Sequence, residues 1–261
     1  MSPSSSHAPR GAILLDIEGT TTPISYVYDV LFPYARRALR AYVDAHLDDD
    51  HLREPIARLR EEWREDVARG EAPPAWRDDD DDDTADREGR VASIVGYAEW
   101  LMDRDRKAFG LKALQGHITR GGYENGSLHG EVYPDVPLAF ARWRAAGIPI
   151  TIFSSGSALA QRMLFSTTKD GDLTRWIDQF FDTTVGPKRS AESYRRIASL
   201  LGCDPARVLF ISDVAAELDA AREAGCDTRL CVRGGPGGTG APASEQSPSG
   251  HATIYDFNDV M

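Results

Sequence analysis

The chain has 261 residues, of which 41% are hydrophobic and 27% charged, so it is long enough for a globular core domain plus an insertion. No stretch approaches the ~18 uninterrupted apolar residues of a membrane span, and the polar, Ser/Pro-rich start (Met1–Arg10) lacks the apolar segment of a secretory leader. The net charge of −11 argues against a nucleic-acid backbone as the main partner, and three cysteines with no Cys-x-x-Cys argue against a disulfide framework or a zinc site and for a reducing cytoplasm.

Gly11–Asp16 is a short apolar run ending abruptly in an acid, the pattern of a buried parallel strand. The texture then changes. Arg36–Ala45, Leu52–Ala68, Val91–Arg106 and Ala108–Gln115 all have amphipathic helical spacing, with no convincing strand among them. Asp78–Asp83 interrupts them with six adjacent like charges, which reads as a solvated loop. Alternation returns after Val132. A helix over Val136–Ala146 stops at Gly147, and Ile148–Phe153 is a second buried strand. Ser157 is placed to cap a helix over Ala158–Phe165. Phe180–Thr183 is a short strand candidate, and a helix over Ala191–Leu201 stops at Gly202. Arg207–Asp213 is a third clear strand ending in an acid. A helix over Glu217–Ala224 stops at Gly225, and Thr228–Val232 is the final strand expected, before an irregular Gly/Ser/Pro-rich segment, 234–250. Strands alternating with helices of about ten residues imply βαβ units and a parallel sheet. The expected organisation is an α/β core of residues 11–24 and 131–261, with an all-helical insertion over 25–130.

In an open α/β sheet, ligands bind beyond the carboxyl ends of the strands. Those ends carry Asp16-Ile17-Glu18, Ser154-Ser155-Gly156 and Asp213, and Lys188 follows the Phe180 strand. Asp16 and Asp213 are hard oxygen ligands suited to Mg²⁺, and Mg²⁺ suits a phosphate. Ser154 and Ser155 can donate to phosphate oxygens beside a helix N-terminus, and Lys188 offers them a point charge. A carboxylate can attack phosphorus and form an aspartyl-phosphate, with Asp16 the candidate nucleophile. Glu18, two residues on, could protonate the leaving oxygen and then activate water. Each feature alone is common in proteins of no related chemistry. Their order and strand-end placement make the set specific. Gly235–Gly240 formally matches G-x-G-x-x-G but opens no helix, no phosphate-binding P-loop motif is present, and no histidine pair stands at metal spacing.

Asp16-Ile17-Glu18-Gly19-Thr20-Thr21-Thr22-Pro23-Ile24 resembles the first motif of the haloacid dehalogenase-like phosphohydrolases. More narrowly it resembles that of the acireductone synthase (enolase-phosphatase) family of methionine salvage, where Asp-x-Glu replaces the commoner Asp-x-Asp. The similarity continues through Leu31-Phe32-Pro33-Tyr34, Leu114-Gln115-Gly116-His117, Ser154-Ser155-Gly156-Ser157, Lys188 with Glu192-Ser193-Tyr194-Arg195, and Phe210-Ile211-Ser212-Asp213. The resemblance implies a Rossmann-like haloacid dehalogenase core with a parallel sheet and a helical cap inserted after the first strand. It implies one Mg²⁺ held by Asp16, Glu18 (through its main-chain carbonyl) and Asp213, and phosphate contacts from Ser154, Ser155 and Lys188. The implied substrate is 2,3-diketo-5-methylthiopentyl-1-phosphate, first enolised and then dephosphorylated, in a cytoplasmic monomer with no nucleic-acid or membrane partner. The alternative is a related phosphatase for another small phosphorylated metabolite. Gln115, Gly116 and His117 would face the substrate from the cap, or His117 is simply structural. Thr119-Arg120 stands where a tryptophan is expected nearby. Glu217 has three readings: it orders a metal-bound water, holds a neighbouring cation, or faces solvent.

Overall fold

The computed structural model describes residues 11–77, 87–234, 250–258 and 260. The acidic run 78–83 and the glycine-rich stretch 235–249 lie outside the described residues. The chain divides into two compact units, one formed by Tyr28–Leu128 and the other by residues through Val27 together with those from His129. The sequence reading puts the breaks after residues 24 and 130. Among the described residues, no helix is long and apolar enough to cross a membrane.

The α/β unit is built on a six-stranded, all-parallel sheet: β1 Ala12–Leu15, β2 Ile150–Phe153, β3 Gln179–Phe181, β4 Val208–Ser212, β5 Asp227–Cys231 and β6 Ala252–Ile254. The order is β3-β2-β1-β4-β5-β6. β1 is central, with Leu14 opposite both Thr151 and Phe210. β1, β2 and β4 are buried throughout, as strands covered on both faces by helices must be. Those helices are α5 (Asp135–Ala145), α6 (Ala158–Ser166), α7 (Ala191–Leu200) and α8 (Ala215–Glu223). They match the expected helices to within two residues. Gly147 ends α5 in the left-handed region, at φ +70°, where Ile148 N–H returns to the Trp143 carbonyl. Ser157 caps α6 as expected, accepting from the Ala160 amide.

β6 corrects the expectation that the strand over 228–232 is the last. Only three residues long, with none of them buried, it pairs with β5 through Arg229↔Ala252 and Cys231↔Ile254. Behind it, Phe257 is fully buried against Trp143, whose indole N–H donates to the Val260 carbonyl at 2.8 Å.

The helical unit contains α1 (Phe32–His46), α2 (Asp50–Ala68), α3 (Arg87–Met102) and α4 (Phe109–Glu124), with a π-helical turn, Tyr26–Leu31, leading into α1. Ala35, Leu39 and Val43 form the buried stripe of α1, and Leu52, Leu59, Tyr97, Leu101, Leu111 and Leu114 complete much of the core. α1 and α3 each begin four residues before the expected Arg36 and Val91, and two helix ends differ as well. α3 stops at Met102 rather than Arg106, because Asp105 takes a left-handed conformation (φ +48°) and the Arg106 amide turns back to the Leu101 carbonyl. α4 continues nine residues past Gln115. A Cβ on Gly110 would lie 2.6 Å from the Leu59 amide nitrogen, and one on Gly122 would lie 2.6 Å from the Tyr34 ring. Close packing at those positions outweighs the ~1 kcal/mol that glycine costs inside a helix. Trp100 lies in this core, stacked on Tyr97.

Candidate active site

The order β3-β2-β1-β4-β5-β6 reverses direction between β1 and β4, and the crevice beyond the carboxyl ends at such a reversal is the usual ligand site of an open sheet. Asp16 follows β1 and Asp213 follows β4, so both acids stand at this point. Asp16 continues the β1 ladder, its amide donating to the Ile211 carbonyl at 3.0 Å. Its buried carboxylate is held on three sides. Oδ1 accepts from the Ile17 amide at 2.8 Å and from Lys188 Nζ at 2.6 Å, and Oδ2 accepts from Ser212 Oγ at 2.9 Å.

Lys188 bridges two carboxylates, with Glu217 Oε2 2.7 Å from its ammonium. Burial pulls the Lys188 pKa down, but Asp16 and Glu217 outweigh it and leave the pKa above its ordinary value, so the ammonium stays charged. Burial, followed by repulsion from Asp16, pushes the Glu217 carboxyl up to about 7. Ser212 Oγ lies 3.4 Å from the same Glu217 oxygen, linking the two acids. Glu217 therefore faces a cation, the second of its three readings. The loop bearing Lys188 is fixed from α7: Tyr194 O–H donates to the Lys188 carbonyl at 2.7 Å and Ser193 O–H to the Pro187 carbonyl at 2.8 Å.

Asp213 has a different environment. Its Oδ1 is buried and unpartnered, and burial, with repulsion from Asp16 second, pushes the carboxyl up to about 6. The loop after β1 closes against it. Gly19 has φ +69°, and a Cβ there would collide with Asp213 Oδ2. Two neighbouring acids, one with an unsatisfied buried oxygen, form a donor set that a hard divalent cation fits. Glu18 does not add its carboxylate to them as a tight cluster of three. Its side chain is exposed, and its backbone pairs with Thr22 in the turn.

Ser154 is buried at the end of β2, its Oγ accepting from the Gly156 amide at 3.2 Å, while Ser155 is exposed where the chain turns toward α6. Sequence reasoning missed Ser212, the last residue of β4. It also missed a clamp on the loop after β1. Arg233, from the end of β5, donates to the Thr20 carbonyl at 2.7 and 2.9 Å and makes a two-pronged pair with Asp135 at 2.8 Å. The Arg233 guanidinium also lies over the Tyr133 and Phe257 rings. No histidine pair stands at metal spacing in the sequence, yet the fold gathers His46 and His51 with Asp49 on the helical unit.

Residues 11–225 match the model of the haloacid dehalogenase-like hydrolase family. The chain is 45% identical over 248 residues to Enolase-phosphatase E1 of Synechococcus elongatus, covering 95% of this chain and 96% of that one. The chain belongs to the enolase-phosphatase family of haloacid dehalogenase-like hydrolases. A protein of Populus trichocarpa, named probable bifunctional methylthioribulose-1-phosphate dehydratase/enolase-phosphatase E1, is also 45% identical; the match takes in 97% of this chain and 47% of the longer poplar protein. Among solved structures, the Unknown transcript 4 protein of Saccharomyces cerevisiae aligns with TM-score 0.68 at 29% identity, over 96% of this chain and 100% of that one. The α/β core with a parallel sheet is therefore that of this hydrolase family, and the chain is an enzyme of it.

Proposed function

We propose that this protein is a Mg²⁺-dependent enolase-phosphatase that converts 2,3-diketo-5-methylthiopentyl-1-phosphate to an acireductone and phosphate, as a cytoplasmic monomer in methionine salvage. The observation that carries the reading is the Asp16 carboxylate, immobilised at the end of the central strand with a lysine ammonium 2.6 Å away. A nucleophile held in one rotamer loses little freedom on attack. Asp16 attacks the phosphorus, the bond to the substrate oxygen breaks, and an aspartyl-phosphate forms. Glu18 protonates the departing oxygen and then takes a proton from the water that hydrolyses the intermediate. Lys188, Ser154 and Ser155 bind the phosphate oxygens, the lysine as a charge and the serines as donors. Asp16, the Glu18 main chain and Asp213 would hold Mg²⁺, which supplies positive charge to the phosphate and to a developing enolate. The unpartnered Asp213 oxygen supports this assignment. The helical unit is the part to which this reading assigns recognition of the methylthio end, and the expected cap role belongs to the same proposal. The names of the cyanobacterial and poplar relatives support the substrate.

The test is an anaerobic time course on the diketo-phosphate with Mg²⁺, following enol absorbance and inorganic phosphate together. An absorbing enol species that precedes or matches phosphate release is expected. Phosphate release from simple esters with no turnover of the diketone would reject this substrate and leave a phosphatase for another small metabolite.

A further inference from the structure

Three of the six histidines converge on the helical unit, and the proposed reaction uses none of them. His46 lies in the last turn of α1, His51 in the first turn of α2, and His117 midway along α4. His46 Nδ1 is 2.7 Å from Asp49 Oδ2, and His51 Nδ1 is 3.9 Å from the same oxygen. One ligand atom from each of His46, Asp49 and His51 lies within 4.8 Å of the others. The His117 ring packs on that of His51 with centres 5.0 Å apart.

Two features go beyond proximity. Asp49 occupies the N-cap position of α2 with extended backbone, yet its side chain makes no capping hydrogen bond. Aspartate is among the best capping residues, and an N-cap interaction contributes about 1 kcal/mol. Here the carboxylate turns instead toward two imidazoles. Tyr42 also orients both rings. Its hydroxyl lies 3.1 Å from His51 Nε2, leaving Nδ1 toward Asp49, and its ring lies tilted against His46 with centres 4.4 Å apart. A hydrogen bond on the far nitrogen is how proteins commonly aim a ligating imidazole.

We propose that His46, Asp49 and His51 form a binding site for a divalent transition-metal ion of the zinc class, with the His117 ring packed beside it. Two imidazoles and one carboxylate, with water completing the shell, favour Zn²⁺, Co²⁺, Ni²⁺ or Cu²⁺ over Mg²⁺. His46, Asp49 and His51 are each about half exposed, so an ion enters without rearrangement of the core. Ligation requires neutral imidazole. A bound ion would tie the end of α1 to the start of α2.

The test is titration of the chelator-treated full-length protein with Co²⁺ at pH 7.5, with excess Mg²⁺ to occupy oxygen-rich sites. The visible ligand-field absorption is followed, and Zn²⁺ competition then displaces the cobalt. The wild type should take up one equivalent and develop the band. His46→Ala/His51→Ala should lose it, Asp49→Asn should bind at least ~10-fold more weakly, and Asp16→Asn should bind as the wild type does. Circular dichroism and the melting temperature of each variant check folding. Absence of the band in the wild type, or an unchanged band in the double variant, would overturn the assignment and leave His46–Asp49 an ordinary surface ion pair.

Discussion

Glu217→Gln tests the electrostatics of the site through stability alone. The Glu217 carboxyl, ordinarily near 4.5, is pushed up to about 7 by burial and by Asp16, despite the opposing pull of Lys188. A raised carboxyl pKa means that the folded chain holds the proton more tightly than the unfolded chain does. The favourable contribution is complete below pH 4.5 and is lost as the pH rises toward 7. Above pH 7 the ionised group opposes folding by a constant amount. At about 1.4 kcal/mol per pH unit, the rise corresponds to roughly 3 kcal/mol, which partial solvent screening brings to about 2 kcal/mol. Glutamine keeps the shape and is neutral at every pH. Urea unfolding of the two chelator-treated proteins should therefore shift by about 2 kcal/mol in the variant's favour between pH 5 and pH 8. In melting temperature that is roughly 4–8 °C for a chain of this size. Parallel stability profiles, or a variant that loses ground at pH 8, would show that Glu217 carries no such burden and that the triad with Lys188 and Asp16 is wrongly drawn.

Three further outcomes follow from the same geometry. Asp16→Asn should abolish phosphate release while leaving a folded protein, checked by phosphate assay beside circular dichroism. Gly19→Ala should displace Asp213 and place a side chain in a left-handed conformation, at ~1–2 kcal/mol of strain; the Mg²⁺ needed for half-maximal activity should rise at least ~10-fold. Arg233→Met would strand the Asp135 carboxylate and free the Thr20 carbonyl, lowering stability by ~3 kcal/mol or more by denaturant titration, and should lower kcat more than it changes KM.

The strands were legible because a parallel strand covered on both faces becomes an uninterrupted apolar run, as in Ala12–Leu15, Ile150–Phe153 and Val208–Ser212. β6 was not, because it sits at the sheet edge and needs no such run. The full extent of α4 was hidden for the opposite reason: Gly116 reads locally as a stop, and the close packing that carries the helix past it comes from residues distant in sequence. In the site, Asp16 and Lys188 were recognisable from strand ends and resemblance, and the structure puts them in contact. Glu217 stayed open among three readings, since local spacing does not reveal which cation a helix faces. Arg233 and Asp135 meet across 98 residues, beyond any local pattern. His46 and His51 are five apart, a spacing that fits no single helix face. They meet because the chain turns between α1 and α2.

The two units differ in how their parts are distributed along the chain, and this bears on synthesis. Tyr28–Leu128 is continuous, so the helical unit can fold as soon as it emerges. The α/β unit is divided around it. β1 is made first, yet its partners β2 and β4 begin at residues 150 and 208. Its four apolar residues must wait unpaired through most of translation. Such delayed long-range pairing slows folding and leaves an exposed β-prone segment in the meantime. Trp143 is satisfied later still, since its hydrogen-bond partner is the carbonyl of Val260. The nascent chain therefore carries a finished helical unit ahead of an unfinished sheet, and the period before β4 and the final residues emerge is when it is most exposed to aggregation or to capture by a chaperone.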